Sequence, residues 1–419
     1  VSEEESNNLK GKIVRFWHLL LFLMVSFSLQ AQDARTGDIV LGQSSVFTGI
    51  SSELGTDLWK GANAYFSYVN STGGVRGRKI KVITKENNFD GKKNLANTIE
   101  FIKDDKVFAL FNYLGTAALQ DALPAVQKFS KEGFFLFSNY SGGVIQREKP
   151  HSDYVFNIRP SYWQETQGLV EQLYKVGKRR FGLFIQYDVY GRTGAMGVHN
   201  TLKGKNLEVV AQTSYQRGEP YTNSMRDQVK ILLDAKVDAI IIVGSYAAAG
   251  AFIRDVRNAG YKGVIANVAG VGSDTLLGIL NAEEKKTKKN YTSQLVNSEV
   301  VPLPTDISYK LVKEYQDIMK TYGVSHPSDL GDRPKSFSYT TLEGFLNAKV
   351  FVEILKKING DITREAFIKT ARELKNLDVG LGKDMVNFNN PASQGLNVIY
   401  YATIENGHYV NIKDWSKLP

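Results

Sequence analysis

Between residues 38 and 70 the spacing of apolar positions changes from two to about three and a half. Asp38 to Val46 alternates apolar with polar and ends in turn residues, which predicts a strand. From Thr56 to Asn70, Leu58, Ala62, Phe66 and Val69 fall on one face at the helical period, which predicts a helix. Gly73-Gly74-Val75-Arg76-Gly77 reads as a turn and Lys79 to Thr84 as the next strand. A helix over Asn94 to Lys103 follows, then Val107 to Asn112, a continuous apolar run of the kind buried on both faces of a parallel sheet. A helix from Ala117 and strands over Phe134 to Ser138 and Tyr154 to Ile158 continue the series.

The alternation starts again after Pro160. Strands are expected over Phe181 to Gln186, Leu207 to Gln212, Asp238 to Val243 and Gly263 to Asn267, with helices starting near Arg192, Tyr221 and Ala247. Two such series predict an α/β protein with two Rossmann-like lobes, each a parallel-rich sheet with helices on both faces. Near the end, Asn406-Gly407 separates two β-rich runs, Val398 to Ile404 and His408 to Ile412, and Asn-Gly is the favoured two-residue hairpin turn. A C-terminal β-hairpin is therefore expected.

Composition narrows the function. Cysteine is absent, which removes thiolate metal sites and cysteine nucleophiles and, if this is the complete chain, the cysteine that a lipoprotein anchor needs. The net charge of +9 calls for a test against nucleic acid. Its densest runs, Lys178-Arg179-Arg180 and Lys285-Lys286-Thr287-Lys288-Lys289, carry no ordered stacking aromatics, so they read as solvated faces and no nucleic-acid partner is expected. Residues 9–32 have the make-up of a secretory signal peptide: Lys10, Lys12 and Arg15, an apolar run from Leu19 to Phe27, and a small residue for cleavage near Ala31. Residues 1–32 are accordingly set apart as leader, and a periplasmic, non-lipoprotein location is expected.

Enzyme motifs are missing. There is no phosphate-binding G-x-x-x-x-G-K-[ST], no G-x-G-x-x-G after a strand and no G-x-S-x-G elbow. The histidines are scattered without ligand spacing, so no metal, no cofactor and no catalytic residue is expected. Three strand ends do share a design: Asn112-Tyr113-Leu114-Gly115-Thr116, Ser138-Asn139-Tyr140-Ser141-Gly142-Gly143 and Gly244-Ser245-Tyr246. Ligands in open parallel sheets lie at the carboxyl ends of strands, where helix N–H groups and hydroxyls such as Thr116 and Ser141 can hold an anionic group. Tyr113, Tyr140, Tyr190 and Tyr246 fall at such ends, where rings with a polar tip can wall a cleft or pack at the sheet edge.

The order and spacing of several short motifs resemble those of the leucine/isoleucine/valine-binding proteins, the branched-chain amino-acid-binding family of ABC importers. The motifs are Thr48-Gly49 with Gly55 and Trp59-Lys60-Gly61-Ala62, then Asn70-Ser71-Thr72-Gly73-Gly74-Val75-Arg76-Gly77-Arg78-Lys79, Tyr190-Gly191 and Ala259-Gly260. The resemblance implies two lobes joined by three hinge crossovers, divided as 37–159 plus 299–384 and 160–298 plus 385–419. It implies a small-molecule ligand between the lobes, an inner-membrane ABC permease as partner, and a monomer. Thr116 (or Gly115), Asn139 and Ser141 align with residues that hold a ligand's carboxylate and amino groups. Tyr190 and Tyr246 align with cleft aromatics, Phe337 with an apolar contact, and Thr48 lies in the first matching motif. The acid that meets an ammonium in the family is replaced by Ala269, with Asp274 or Asp188 able to substitute; Asp188 is also placed to cap the helix after it. That departure favours amides and short or aromatic carboxylates beside amino acids. A sensory binding protein of the same fold is the alternative to an importer component.

Overall fold

The computed structural model describes residues 37–323 and 337–418. The leader expected over 1–32 lies outside the described residues.

The first lobe opens with β1 (Ile39–Ser45), α1 (Ser52–Ser71), β2 (Ile80–Glu86), α2 (Gly91–Lys103), β3 (Ala109–Leu114), α3 (Thr116–Ser130), β4 (Leu136–Tyr140) and β5 (Val155–Phe156). The second follows with α4 (Tyr162–Lys175), β6 (Phe181–Gln186), α5 (Val189–Lys203), β7 (Val209–Tyr215), α6 (Arg226–Asp234), β8 (Ala239–Val243), α7 (Tyr246–Asn258), β9 (Val264–Asn267), α8 (Ser273–Thr287) and β10 (Leu295–Glu299). The chain then returns through α9 (Lys310–Tyr322), α10 (Tyr339–Lys357) and α11 (Arg364–Glu373) before closing with β11 (Tyr400–Glu405) and β12 (His408–Asn411).

The described residues form two sheets, in the orders β2-β1-β3-β4-β5 and β12-β11-β10-β9-β8-β6-β7. Every pair is parallel up to β10, and only the expected tail hairpin is antiparallel, β11 on β10 and β12 on β11. Strand order reverses beside β1 and β3 in one sheet and beside β6 and β8 in the other. Two switch points therefore face each other. Crossovers run between the lobes after β5, after β10 and before β11, and the first and third touch where Asn157 and Gln394 form an isolated parallel bridge.

The first lobe's core is held by α1 lying across α10. Their backbones come into contact at two glycines: a Cβ on Gly61 would stand 1.8 Å from the Thr341 carbonyl oxygen, and one on Gly344 would stand 2.0 Å from that of Leu58. Sequence periodicity assigns no element from 270 to 395, and α10 explains part of that. It is buried on nearly every face, so no polar stripe marks its period. The helix expected near Tyr221 begins at Arg226 instead. Residues before it form turns, in which the Tyr221 carbonyl accepts from Arg254 Nη1 at 2.7 Å and the Tyr221 ring lies 4.9 Å from that guanidinium.

Candidate functional site

The carboxyl ends of both sheets meet around a cleft of 550 Å³, within the range of about 300–1,000 Å³ usual for small-molecule sites. From the first lobe come the loop after β1 (Val46, Thr48, Ile50), Leu54 in the first turn of α1, Asn88 and Phe89 after β2, Leu114 to Ala117 around the end of β3, and Tyr140. The second lobe brings Tyr162, Gln186, Asp188, Tyr190, Arg217, Ser245 and Gly270.

Four helix starts line this space, at Ser51, Gly115, Asp188 and Ser245. Helix α5 is capped from within: Asp188 Oδ1 accepts from the N–H groups of Tyr190 at 2.9 Å and Gly191 at 3.3 Å. Helices α3 and α7 have no side-chain cap and no acid in the first turn, so their positive dipole ends lie at the cleft wall as sites suited to an anion. Gly115 shapes the first of these. Its φ of 103° suits glycine, and a Cβ there would come 2.6 Å from the Phe89 ring.

Among the lining residues, Asp188 is the sole carboxylate and Arg217 the sole cation, and they bind each other at 2.6 Å. Gln186 Nε2 also donates to Asp188 Oδ2 at 2.7 Å. Asp188 is thus engaged by a helix start, an amide and a guanidinium before any ligand arrives. Aromatic walls complete the cleft. The Tyr162 and Tyr190 rings lie 4.9 Å apart, and Tyr140 stands opposite with Arg159 stacked 4.5 Å behind it.

Of the residues singled out in the sequence, Thr48, Gly115, Thr116, Tyr140 and Tyr190 are on the cleft wall. Ser141 stands behind Thr116, donating to its Oγ1 at 2.9 Å while accepting from Gly143 N–H at 3.1 Å. Asn139 is buried deeper, with Nδ2 on Asn157 Oδ1 at 3.0 Å and Oδ1 accepting from Gln146 at 3.3 Å. The Tyr246 hydroxyl meets the Ile50 carbonyl and the Glu53 carboxylate of the opposite lobe. Ala269 uses its backbone: its N–H donates to Glu165 Oε2 at 2.8 Å and its carbonyl accepts from the Tyr140 hydroxyl at 3.1 Å. Asp274 is buried away from the lining and accepts from Tyr339 N–H at 2.8 Å, at the start of α10. Phe337 packs its ring against Tyr315, with centroids 5.5 Å apart. Asn139, Ser141, Tyr246, Ala269, Asp274 and Phe337 are therefore a surrounding layer; the lining itself is made by other residues.

Phe89, Tyr162 and Arg217 went unmarked in the sequence. Each sits at or just past a strand end or chain crossover, and the same strand-end rule finds them once the strands are placed. For Tyr162 the signal is Ser161-x-x-Gln164, a capping box whose reciprocal bonds both form.

A model of the family described as periplasmic binding proteins matches residues 38–408. The chain belongs to the periplasmic binding protein family. An amino acid binding protein of Pseudomonas aeruginosa is 22% identical over 260 residues, covering 61% of this chain and 67% of that one. A Leu/Ile/Val-binding protein of Citrobacter freundii is 24% identical over 301 residues, covering 70% and 77%. Among solved structures, a possible leucine/isoleucine/valine-binding protein of Rhodopirellula baltica superposes with a TM-score of 0.79 at 23% identity, over 92% of this chain and 98% of that one.

This periplasmic binding protein carries a buried charge cluster behind the cleft, at the crossover. Arg159 stands between Glu165 of α4, 3.8 Å away, and Glu343 of α10, 3.6 Å away, all three buried. One guanidinium cannot neutralise two carboxylates. Glu165 is the better anion, because Ala269 N–H and the Ser298 hydroxyl, the latter at 2.8 Å, both donate to it. Burial pushes the Glu343 carboxyl up to about 7 against the pull of Arg159, and Glu165 raises it further. Between its ordinary 4.5 and about 7, the folded state then holds a proton that the unfolded state has lost. Stability should therefore fall as pH rises through that window and stay lower above it, by on the order of 3 kcal/mol from this group. Glu343→Gln should make the fall in melting temperature between pH 5 and 8 shallower without abolishing it, since burial lifts Asp274 to about 7 as well; an unaltered slope would assign the effect elsewhere.

Proposed function

We propose that this protein is the exported solute-binding component of an ABC importer, and that it closes two lobes over a small carboxylate with an apolar or aromatic body. The lobes are 37–159 with 299–384 and 160–298 with 385–419, the ligand is bound without being transformed, and a membrane permease reads the closed form. Related proteins named for amino-acid and Leu/Ile/Val binding support capture of a small polar solute, and membership of a periplasmic family supports the location.

The observation that carries the ligand class is the pairing of two uncapped helix starts with an engaged carboxylate. Helices α3 and α7 offer donors and positive dipole ends to one anionic group. Asp188, the lining carboxylate, is already matched by Arg217, so a ligand ammonium would enter without a free counter-charge. Aromatic and aliphatic walls suit the remainder of the ligand.

A thermal-shift screen on protein unfolded and refolded to shed co-purified ligand tests this. Carboxylates without an ammonium, and next to them amides, should raise the melting temperature. At one hundred times its dissociation constant a ligand adds about 2.7 kcal/mol, several degrees for a protein of this size. Amino acids outperforming their deaminated counterparts would overturn the ligand class, and a flat response to the whole set would overturn capture of small carboxylates.

A further inference from the structure

The edge of the second sheet remote from the cleft has a composition that ligand capture does not use. β10, β9, β8, β6 and β7 are neighbours and parallel, so their amino ends form one continuous border. At about 4.8 Å between strands this border is ~19 Å long. Each of the five loops that enter it carries lysine or arginine. Lys178, Arg179 and Arg180 precede β6, and Lys205 precedes β7, close to Lys203 at the end of α5. Lys236 leads into β8, Lys262 into β9, and Lys288 with Lys289 toward β10.

Acids are few in these loops. They hold Glu208 and Asp238, and Asp238 is occupied by the backbone N–H groups of Arg179 and Arg180, at 2.9 and 3.0 Å. Among the described residues none of these lysines and arginines forms a salt bridge. The equivalent border of the first sheet is mixed: Arg76, Arg78, Lys79, Lys106 and Lys131 stand there beside Asp38, Asp104, Asp105 and Glu132, and Arg76 and Arg78 are turned onto the backbone carbonyls of Gly360, Ile358, Gly37 and Ile362. The positive charge is thus a property of one edge of one lobe.

We propose that this edge docks the protein on an anionic membrane surface. Cations spread along a border suit a sheet of lipid headgroups, where each basic side chain within a Debye length of the surface adds to binding. Stacking on single-stranded nucleic acid is disfavoured, because Tyr174 at this edge is already covered by Arg179 at 3.7 Å and Lys205 at 4.7 Å. The cleft lies at the opposite, carboxyl ends of the same strands, so a protein docked this way presents its cleft away from the lipid and leaves the first lobe free to hinge.

Co-sedimentation of residues 37–419 with vesicles tests the proposal. Vesicles of phosphatidylcholine with about a third phosphatidylglycerol should bind the protein at low salt and release it as salt rises; vesicles of phosphatidylcholine alone should not. The triple variant Lys178→Glu, Lys203→Glu, Lys262→Glu should lose at least ten-fold in partitioning, and glutamine at the same positions should lose less. A control with the same change in net charge, Lys79→Glu, Lys103→Glu, Lys131→Glu on the first lobe, should lose little. Thermal melts of each variant establish that it is folded. Equal losses in the two triple variants would reduce the effect to net charge and overturn the docking face. So would failure of the wild type to bind anionic vesicles, displacement by millimolar inorganic phosphate beyond its ionic-strength effect, or tighter binding to single-stranded DNA than to the vesicles.

Discussion

Gly61→Val is expected to lower the melting temperature by about 5 °C or more, the largest loss of stability of any substitution considered. The new Cβ would stand 1.8 Å from the Thr341 carbonyl oxygen, 2.7 Å from its carbon and 2.9 Å from the Phe345 nitrogen. All three are backbone atoms of α10, so no side chain can rotate aside to make room. Relief requires α1 and α10 to separate, which opens the core that Leu58, Phe66, Leu342 and Phe345 form between them. Ser51 and Leu54, at the start of α1, would move with the helix, so ligand binding should fall as well. Gly278→Ala on α8 is the control, since nothing lies within 4 Å of a Cβ there; it should be neutral or gain up to about 1 kcal/mol. A melting temperature for Gly61→Val within about 2 °C of wild type would mean that the two helices have slack which their backbone contact denies.

Gly115→Val is expected to cost at least a hundred-fold in affinity for any carboxylate found by the thermal-shift screen, about 2.7 kcal/mol. Two effects act together. A β-branched residue is strained at a φ of 103°, so the turn that aims the first N–H groups of α3 at the cleft would rotate. The added side chain would also meet the Phe89 ring, 2.6 Å from the new Cβ, and drive it into the space the ligand needs. Calorimetric titration reads the loss, and a melt without ligand separates it from unfolding. Affinity preserved within three-fold would move the anion site away from α3, toward the uncapped start of α7.

How much of this could be read from the sequence depended on what each element touches. β6 was placed residue for residue, because Phe181 to Gln186 is a short apolar run between turn residues. The tail hairpin was legible for a local reason also, its Asn-Gly turn, with both residues at positive φ. Elements buried on all sides gave no such pattern, and α10 is the clearest case. The cleft divides in the same way. Gly115, Thr116, Tyr140 and Tyr190 follow strands whose ends the pattern located. Arg217 acquires its place through Asp188 and through the Phe89 carbonyl at 2.8 Å, a residue 128 positions earlier. Glu165, the acid nearest Ala269, arrives from α4 over 104 positions. Pairings over such distances have no period in one sequence, so only the folded chain brings them together.

The tail hairpin also bears on how the chain is made. The open edge of β10 is covered by β11, with Val296 opposite Thr403 and Glu299 opposite Tyr400. A nascent chain that has released β10 from the ribosome still lacks the strand that covers it, and displays a row of unpaired backbone groups until β11 follows. The second lobe therefore reaches its final form only after the whole return through α9, α10 and α11 has been made. Until then the sheet of that lobe is one strand short, and its exposed border at β10 is open to pairing with any extended segment that reaches it.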